Sequence, residues 1–186
     1  AAIDFYALKG VVEELFARLG IDGVSYRPLD HPALAEGRAA EAVLGERPVA
    51  ILGQVSPAIL DNYDLPADTF VGEVDLECLT DQTGKTPEYR EISRYPAAER
   101  DLALLVPVDC PAEKVEAALR EKGGELLESV ELFDVYEGKS VPAGYRSLAY
   151  ALTFRAADRT LVEDEVDALV KETIEALKKM GVELRG

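Results

Sequence analysis

An acid, a phenol, small side chains and an arginine recur on two neighbouring segments in the second half of the chain. Residues 132–138 read LFDVYEG and carry Asp134 and Tyr136, and residues 145–155 read YRSLAYALTFR. A flat ligand such as an unstacked nucleic-acid base needs an aromatic surface, hydrogen-bonding groups and room to approach. These two segments therefore predict a surface that suits a base.

The segment 145–155 alternates strictly between two kinds of side chain. The large apolar set is Leu148, Tyr150, Leu152 and Phe154, and the small or polar set is Ser147, Ala149, Ala151, Thr153 and Arg155. This period of two predicts a strand with one buried and one open face. On patterning alone, a solvated face that binds nothing is the simpler interpretation, with Asp134 capping a turn and Tyr136 packing in the hairpin loop.

Few residues offer catalytic or metal-binding chemistry. His31 is the only histidine, and beside Pro32 it is predicted to be a turn residue rather than a catalytic base. Cys78 and Cys110 lie in different segments without C-x-x-C spacing, so neither a zinc site nor a disulfide framework is indicated. We expect no catalytic residue, no metal ligand and a reducing, cytoplasmic location.

Three carboxylates alternate in residues 69–80, which the pattern predicts to be a strand. Glu73, Asp75 and Glu77 would then share one face of that strand. They could be metal ligands, but a solvated or partner-facing strand edge is the favoured interpretation.

Composition limits the class of protein. The chain has 186 residues, of which 48% are hydrophobic, and a formal net charge of −16. This length suffices for one large or two small domains. The acidity argues against non-specific binding to nucleic acid by a basic surface, but not against specific RNA contacts, and we expect no DNA partner. The sequence contains no apolar run long enough to predict a membrane span.

The elements of the first half precede a polar stretch, residues 81–91, that is predicted to be a linker. A helix is predicted over residues 4–20, with Gly20 as its C-terminal cap. The further predicted elements are strands at 24–26, 40–44 and 48–54, the last two joined by a hairpin at Gly45-Glu46, and a short helix begun by Ser56-Pro57.

The second half has a simpler order. Strands are predicted at 100–107, 125–136, 145–155 and 182–184, and helices at 111–122 and from Thr160, where Glu163 would complete a capping box. This β-α-β-β-α-β order is that of a ferredoxin-like sandwich, in which two helices cover one face of a four-stranded antiparallel sheet. The other face of the sheet is left uncovered.

Five motifs in this half carry a resemblance to a known family. They are RYP at 94–96, ERDLA at 99–103, LFDVYEG at 132–138, SLAYALTFR at 147–155 and DRTL at 158–161. Residues 92–186 resemble the ferredoxin-fold anticodon-binding domain of the bacterial phenylalanyl-tRNA synthetase beta subunit. Residues 1–90, with DFYALKG, HPALAEGRAA and GQVSPAILDNYDL, resemble the last part of its degenerate, class II synthetase-like catalytic domain.

The resemblance implies an α+β chain of two domains and a division of labour between subunits. Its partners would be phenylalanine tRNA and a catalytic alpha subunit, in a parent of two alpha and two beta chains that uses ATP and magnesium. This piece would itself hold no cofactor, because the arginines and magnesium carboxylates of a working class II site are missing from it.

The resemblance also assigns roles on the open sheet face. Asp134 and Tyr136 would read a base, Ser147 and Ala149 would let it approach, and Arg94, Arg100 and Arg155 would contact phosphates or stack. The alternative is a ferredoxin-like regulatory module that binds a small ligand. Such modules usually place the ligand at a sheet edge or a dimer interface, whereas the polar residues here lie on central strands.

Overall fold

The computed structural model describes residues 3–80 and 93–185. The chain divides into two compact units, Ala1–Tyr89 and Arg90–Gly186. The linker predicted at 81–91 lies outside the described residues.

The first unit is a four-stranded antiparallel sheet with three helices. Its elements are α1 Phe5–Arg18, β1 Val24–Pro28, β2 Leu34–Leu44, β3 Arg47–Val55, α2 Pro57–Tyr63, β4 Phe70–Val74 and α3 Leu76–Leu79, and the strand order is β1-β2-β3-β4. The Asp4 carboxylate caps α1 by accepting from the Ala7 N–H at 2.9 Å. Val12 and Phe16 pack the buried face of α1 against Val49 and Ala50 of β3.

The prediction of one strand over residues 69–80 is wrong. The strand β4 ends at Val74, and Asp75 caps α3 by accepting from the backbone N–H of Cys78 at 3.0 Å and from its thiol at 2.7 Å. A local side-chain hydrogen bond therefore competes successfully with the strand ladder. Glu73 lies on the strand and Glu77 on the helix, so the three carboxylates do not form a ladder on one face.

The second unit has the predicted β-α-β-β-α-β order. Its elements are β5 Ala98–Pro107, α4 Ala112–Gly123, a 3-10 turn Gly124–Leu126, β6 Leu127–Tyr136, β7 Tyr145–Phe154, α5 Glu163–Lys178 and β8 Glu183–Leu184. The strand order is β6-β7-β5-β8, and each pairing is antiparallel. The α+β class and the ferredoxin-like arrangement are confirmed.

The core of this unit lies between the sheet and its two helices. The apolar positions of β7 are buried as predicted: Leu148, Tyr150, Leu152 and Phe154. They pack in one cluster with Leu119 of α4 and Leu169 of α5. Burial raises the pKa of the Tyr150 phenol well above its usual value.

The capping box predicted at Thr160 is absent from the second helix. That helix, α5, begins at Glu163, and Val162 occupies the N-cap position without a side-chain cap. Three acidic residues in its first turn stabilise the helix by their interaction with the positive end of its dipole. Arg159 forms a two-pronged ion pair with Glu165, at 2.7 and 2.8 Å, and so fixes the segment that precedes the helix.

Candidate nucleic-acid interface

The uncovered face of the second sheet brings four of the predicted residues together. Asp134 lies opposite Ala149, and Tyr136 lies opposite Ser147, on the adjacent strands β6 and β7. Residues directly opposite each other on neighbouring strands point to the same side of a sheet. Leu148, between Ser147 and Ala149, points into the core, so these four side chains lie on the uncovered face.

A shift of register in β6 is what places Asp134 on this face. Leu132 pairs with the core residue Tyr150, and a regular strand would put Asp134, two residues later, on the core side as well. The pairing shifts between Leu132 and Asp134, so that Phe133 is an extra residue of the β-bulge type. The bulge turns the carboxylate and the following phenol outward.

The Tyr136 ring is positioned by two neighbours. The Arg185 guanidinium carbon lies 5.3 Å from the ring centroid, within cation–π range. On Gly138, a Cβ would lie 2.5 Å from the ring Cζ atom, so the glycine backbone passes against the ring. The side chain nevertheless remains 40% exposed. It therefore presents an aromatic surface whose position is set by the protein.

Ser147 faces the open side of the sheet but is not accessible. Its side chain is only 4% exposed, because Arg185 lies above it. The Arg185 guanidinium donates to the Ser147 hydroxyl at 3.2 Å and to the Ser140 hydroxyl at 3.0 Å. The expectation that Ser147 directly contacts a base is thus replaced by a contact with Arg185.

The Asp134 carboxylate is an open hydrogen-bond acceptor. Within residues 3–80 and 93–185, no hydrogen bond or ion pair engages it. An ionised carboxylate has two oxygens that accept hydrogen bonds from adjacent N–H groups, as on the edge of a base. Ala149 lies opposite and adds no bulk beyond a methyl group. The arrangement combines an acceptor with a flat aromatic neighbour two residues away.

Arg155 and Arg94 lie elsewhere. Arg155 follows the last residue of β7, eight positions from Ser147, which is about 26 Å along an extended strand. Its guanidinium donates to Glu128 at 2.8 Å and to the Tyr95 carbonyl at 2.7 Å. Arg94 lies next to Tyr95 in sequence, before β5 begins, and also has an interaction partner. Both arginines belong to the opposite end of the sheet from Tyr136.

Arg100 is separated from the other candidates by the sheet itself. It lies opposite the core residue Leu152, so it points toward the helices. Its guanidinium donates to Asp167 of α5, with both nitrogens at 3.1 Å from one carboxylate oxygen. Arg100 therefore does not share the open face with Asp134 and Tyr136.

Two residues of this surface, one half-buried and one exposed, were not predicted from the sequence. Arg185 directly follows β8, a strand of two residues that shows no periodicity to read. Phe133 is 55% exposed because the bulge removes it from the regular alternation. The sequence offered two weak signals. Arg185 follows an apolar residue of the predicted last strand, and Phe133 is an additional apolar residue in the segment LFDV.

The first unit has an open cleft of about 830 Å³ between α1, β1 and β2. Two arginines in its lining already have partners within the chain: Arg27 donates to Glu41 at 3.0 Å, and Arg38 donates to Gln54 at 2.6 Å. Across the described residues no three His, Cys, Asp or Glu side chains are grouped as metal ligands. These residues do not fit a site for ATP phosphates and magnesium.

His31 has a structural contact. Its Nδ1 atom accepts from the Ala33 N–H at 3.2 Å, which supports its interpretation as a turn residue. In the part of the chain that the structure describes, no helix is both long enough and apolar enough to cross a membrane.

Comparison with known proteins identifies both units. Residues 1–76 match the phenylalanyl tRNA synthetase beta chain CLM domain. The chain is 45% identical to the phenylalanine–tRNA ligase beta subunit of Symbiobacterium thermophilum, over 98% of this chain and 20% of that protein. The corresponding subunits of Moorella thermoacetica and Thermotoga maritima are 43% and 37% identical, over 98% and 99% of this chain and 23% of each relative.

The chain thus spans about a fifth of the length of the curated relatives that it matches. Residues 93–185 match the ferredoxin-fold anticodon binding domain, and this segment is half of the chain. Its strands and helices also have the order and pairing expected of that fold. The chain therefore belongs to the family of the ferredoxin-fold anticodon binding domain.

Proposed function

We propose that this chain is part of the beta subunit of a phenylalanine–tRNA ligase and that the open face of its second unit binds the anticodon of phenylalanine tRNA. The observation that carries the proposal is the grouping of Asp134, Tyr136 and Ala149 on the uncovered sheet face. Tyr136 stacks on a base, and Asp134 accepts hydrogen bonds from base N–H groups. Ser147 acts indirectly, through its contact with Arg185.

The surrounding charges support binding at this end of the sheet. Toward the other end, the open face carries Asp101 and Glu131, both opposite Ala151, and Glu99 opposite Thr153. These carboxylates repel phosphates, so the stacked nucleotide is favoured near Tyr136 and Arg185. Arg94 and Arg155 remain proposed phosphate contacts at the opposite end of the sheet. Arg100, which points toward the helices, is not part of the proposed interface.

We assign the first unit, residues 1–90, to the end of a degenerate catalytic-like domain that contacts the alpha subunit. Large apolar side chains are exposed along α1, where Tyr6 and Val11 are 74% and 67% exposed. Such surface favours a protein partner. Residues 92–186 form the anticodon-binding domain, and the parent enzyme, of two alpha and two beta chains in the cytoplasm, uses ATP and magnesium on its catalytic subunit.

The regulatory-module alternative has less support. The expectation that the polar residues lie on central strands is wrong for Asp134 and Tyr136, because β6 is an edge strand of the sheet. Their side chains nevertheless project from the open face rather than along the unpaired edge, where the alternative would place a ligand. The relatives are beta subunits of a ligase rather than ligand sensors.

The test is aminoacylation by the ligase reconstituted from its alpha and beta subunits. Tyr136→Ala and Asp134→Ala should each raise the KM for phenylalanine tRNA, Tyr136→Ala by roughly five- to 150-fold, which corresponds to about 1–3 kcal/mol for one base–aromatic stack. Pyrophosphate exchange with phenylalanine should remain unchanged, because adenylate forms on the other subunit. Glu99→Ala, at the far end of the same face, is the matched carboxylate control. If Tyr136→Ala and Asp134→Ala both aminoacylate with wild-type efficiency, Asp134 and Tyr136 are structural residues.

A further inference from the structure

We propose that Arg185 is the phosphate-binding residue of this surface and that it contacts the backbone of the nucleotide stacked on Tyr136. The inference rests on the proposed function and extends it to a residue outside the predicted set. Three observations carry it: the path of the Arg185 side chain, its hydrogen-bond partners and its uncompensated charge.

The path of Arg185 is set by strand pairing. Its backbone N–H donates to the Ala103 carbonyl of β5 at 2.8 Å, which continues the β8 pairing by one residue. The guanidinium bonds to Ser147 on β7, the strand beyond β5. The side chain therefore crosses β5 on the open face, where the small side chain of Ala103 leaves room for it.

The hydrogen bonds of Arg185 hold its guanidinium in one orientation. Two serine hydroxyls each accept from one terminal nitrogen, at 3.2 and 3.0 Å, and the Tyr136 ring lies beside the group. A guanidinium has five N–H donors, so donors remain for a further acceptor. A preorganised guanidinium fork loses less entropy when it binds a phosphate, which it can do through two parallel hydrogen bonds.

No carboxylate within the described residues 3–80 and 93–185 neutralises the charge of Arg185. Its side-chain hydrogen bonds go only to neutral hydroxyl groups, and among residues 3–80 and 93–185 no carboxylate forms an ion pair with it. Arg100, Arg155 and Arg159 have carboxylate partners, whereas Arg120 and Arg146 of the same unit donate to backbone carbonyls. A half-buried cation beside an exposed aromatic ring is suited to an anionic ligand that also carries a flat ring, which describes a nucleotide.

The experiment measures binding of a phenylalanine tRNA transcript to the 186-residue chain between about 50 and 200 mM salt. One phosphate contact to a single strand contributes about 0.7 to the slope of log affinity against log salt. Arg185→Gln should therefore reduce the slope by about 0.7 and weaken binding roughly tenfold at the low-salt end. Arg185→Lys should keep the wild-type slope. Arg120→Gln, on α4 in the helix layer, removes the same charge and should change neither quantity.

A second measurement alters the RNA instead of the protein, so its first readout, on the wild-type chain, does not depend on variant stability. Neutral methylphosphonate linkages are placed one at a time through the anticodon loop. One linkage should weaken binding to the wild type, and Arg185→Gln should be insensitive at that position. A wild-type slope for Arg185→Gln, or the lack of any sensitive linkage, overturns this inference. If Tyr136→Ala and Asp134→Ala bind like the wild type, the proposed function itself fails.

Discussion

Gly138 offers a way to move the Tyr136 ring without altering it. A Cβ at this position would run into Oη of that ring and lie 2.5 Å from Cζ, closer than such atoms approach in proteins. Gly138 does not have a left-handed backbone, so alanine causes no backbone strain there. Gly138→Ala therefore acts through the ring, which must leave its place beside Arg185.

The expected loss of RNA binding is bounded by the contribution of Tyr136. A base–aromatic stack contributes about 1–3 kcal/mol, so Gly138→Ala should weaken binding of the phenylalanine tRNA transcript by up to about 150-fold. Folding stability should stay the same or rise by about 0.4–1 kcal/mol, because alanine restricts the unfolded chain. Gly10→Ala is the matched control, since a Cβ at Gly10 meets no atom within 4 Å.

The assay is a double-mutant cycle on RNA affinity, with denaturant unfolding measured in parallel. If Gly138→Ala acts only by displacing the ring, it should cause no further loss in the Tyr136→Ala background, within about 0.5 kcal/mol. Wild-type affinity for Gly138→Ala would show that the ring position is unimportant. If Gly138→Ala causes the same loss of affinity in the Tyr136→Ala background, Gly138 itself contacts the RNA. Either result would show that Gly138→Ala does not act by moving the Tyr136 ring.

Two further predictions concern residues outside the interface. Arg100→Gln should leave RNA affinity and its salt dependence unchanged in the same titrations, because the guanidinium faces α5 and pairs with Asp167; a loss of affinity would mean that RNA reaches the helix-covered side. Burial and the nearby Glu13 charge raise the pKa of Tyr26 to about 12. The neutral phenol is thus favoured in the folded state, and the first unit should lose stability as pH rises from about 10 through 12. Tyr26→Phe should reduce that loss in denaturant unfolding followed against pH, whereas an identical pH profile would contradict the assignment.

In the second unit, the strands and their buried faces could be predicted wherever a regular alternation of side chains extended over many residues. β7 alternates over ten residues, and this alternation correctly predicted which side chains are buried under the helices. A one-residue error of register would have exchanged the two faces, so the pattern strongly constrains the strand. The shared face of Asp134 and Tyr136 followed from the same period of two.

Other features depend on interactions that no local pattern records. The segment 69–80 alternates like a strand, yet a helix begins there, where Cys78 donates hydrogen bonds to the Asp75 carboxylate. The bulge at Phe133 is a property of how β6 pairs with β7. The position of Arg185 depends on the pairing of a two-residue strand with β5, whose sequence lies about eighty positions earlier. These three features could therefore be recognised only from the tertiary structure.

We propose that RNA binds the open sheet face of the second unit. The most direct test is a titration of the isotopically labelled chain with the anticodon arm of phenylalanine tRNA, followed by NMR. We predict that the largest shift changes occur at Asp134, Tyr136, Ala149 and Arg185, with little change along α4 and α5. Shift changes confined to α4 and α5, or no saturable change on the sheet, would contradict the account.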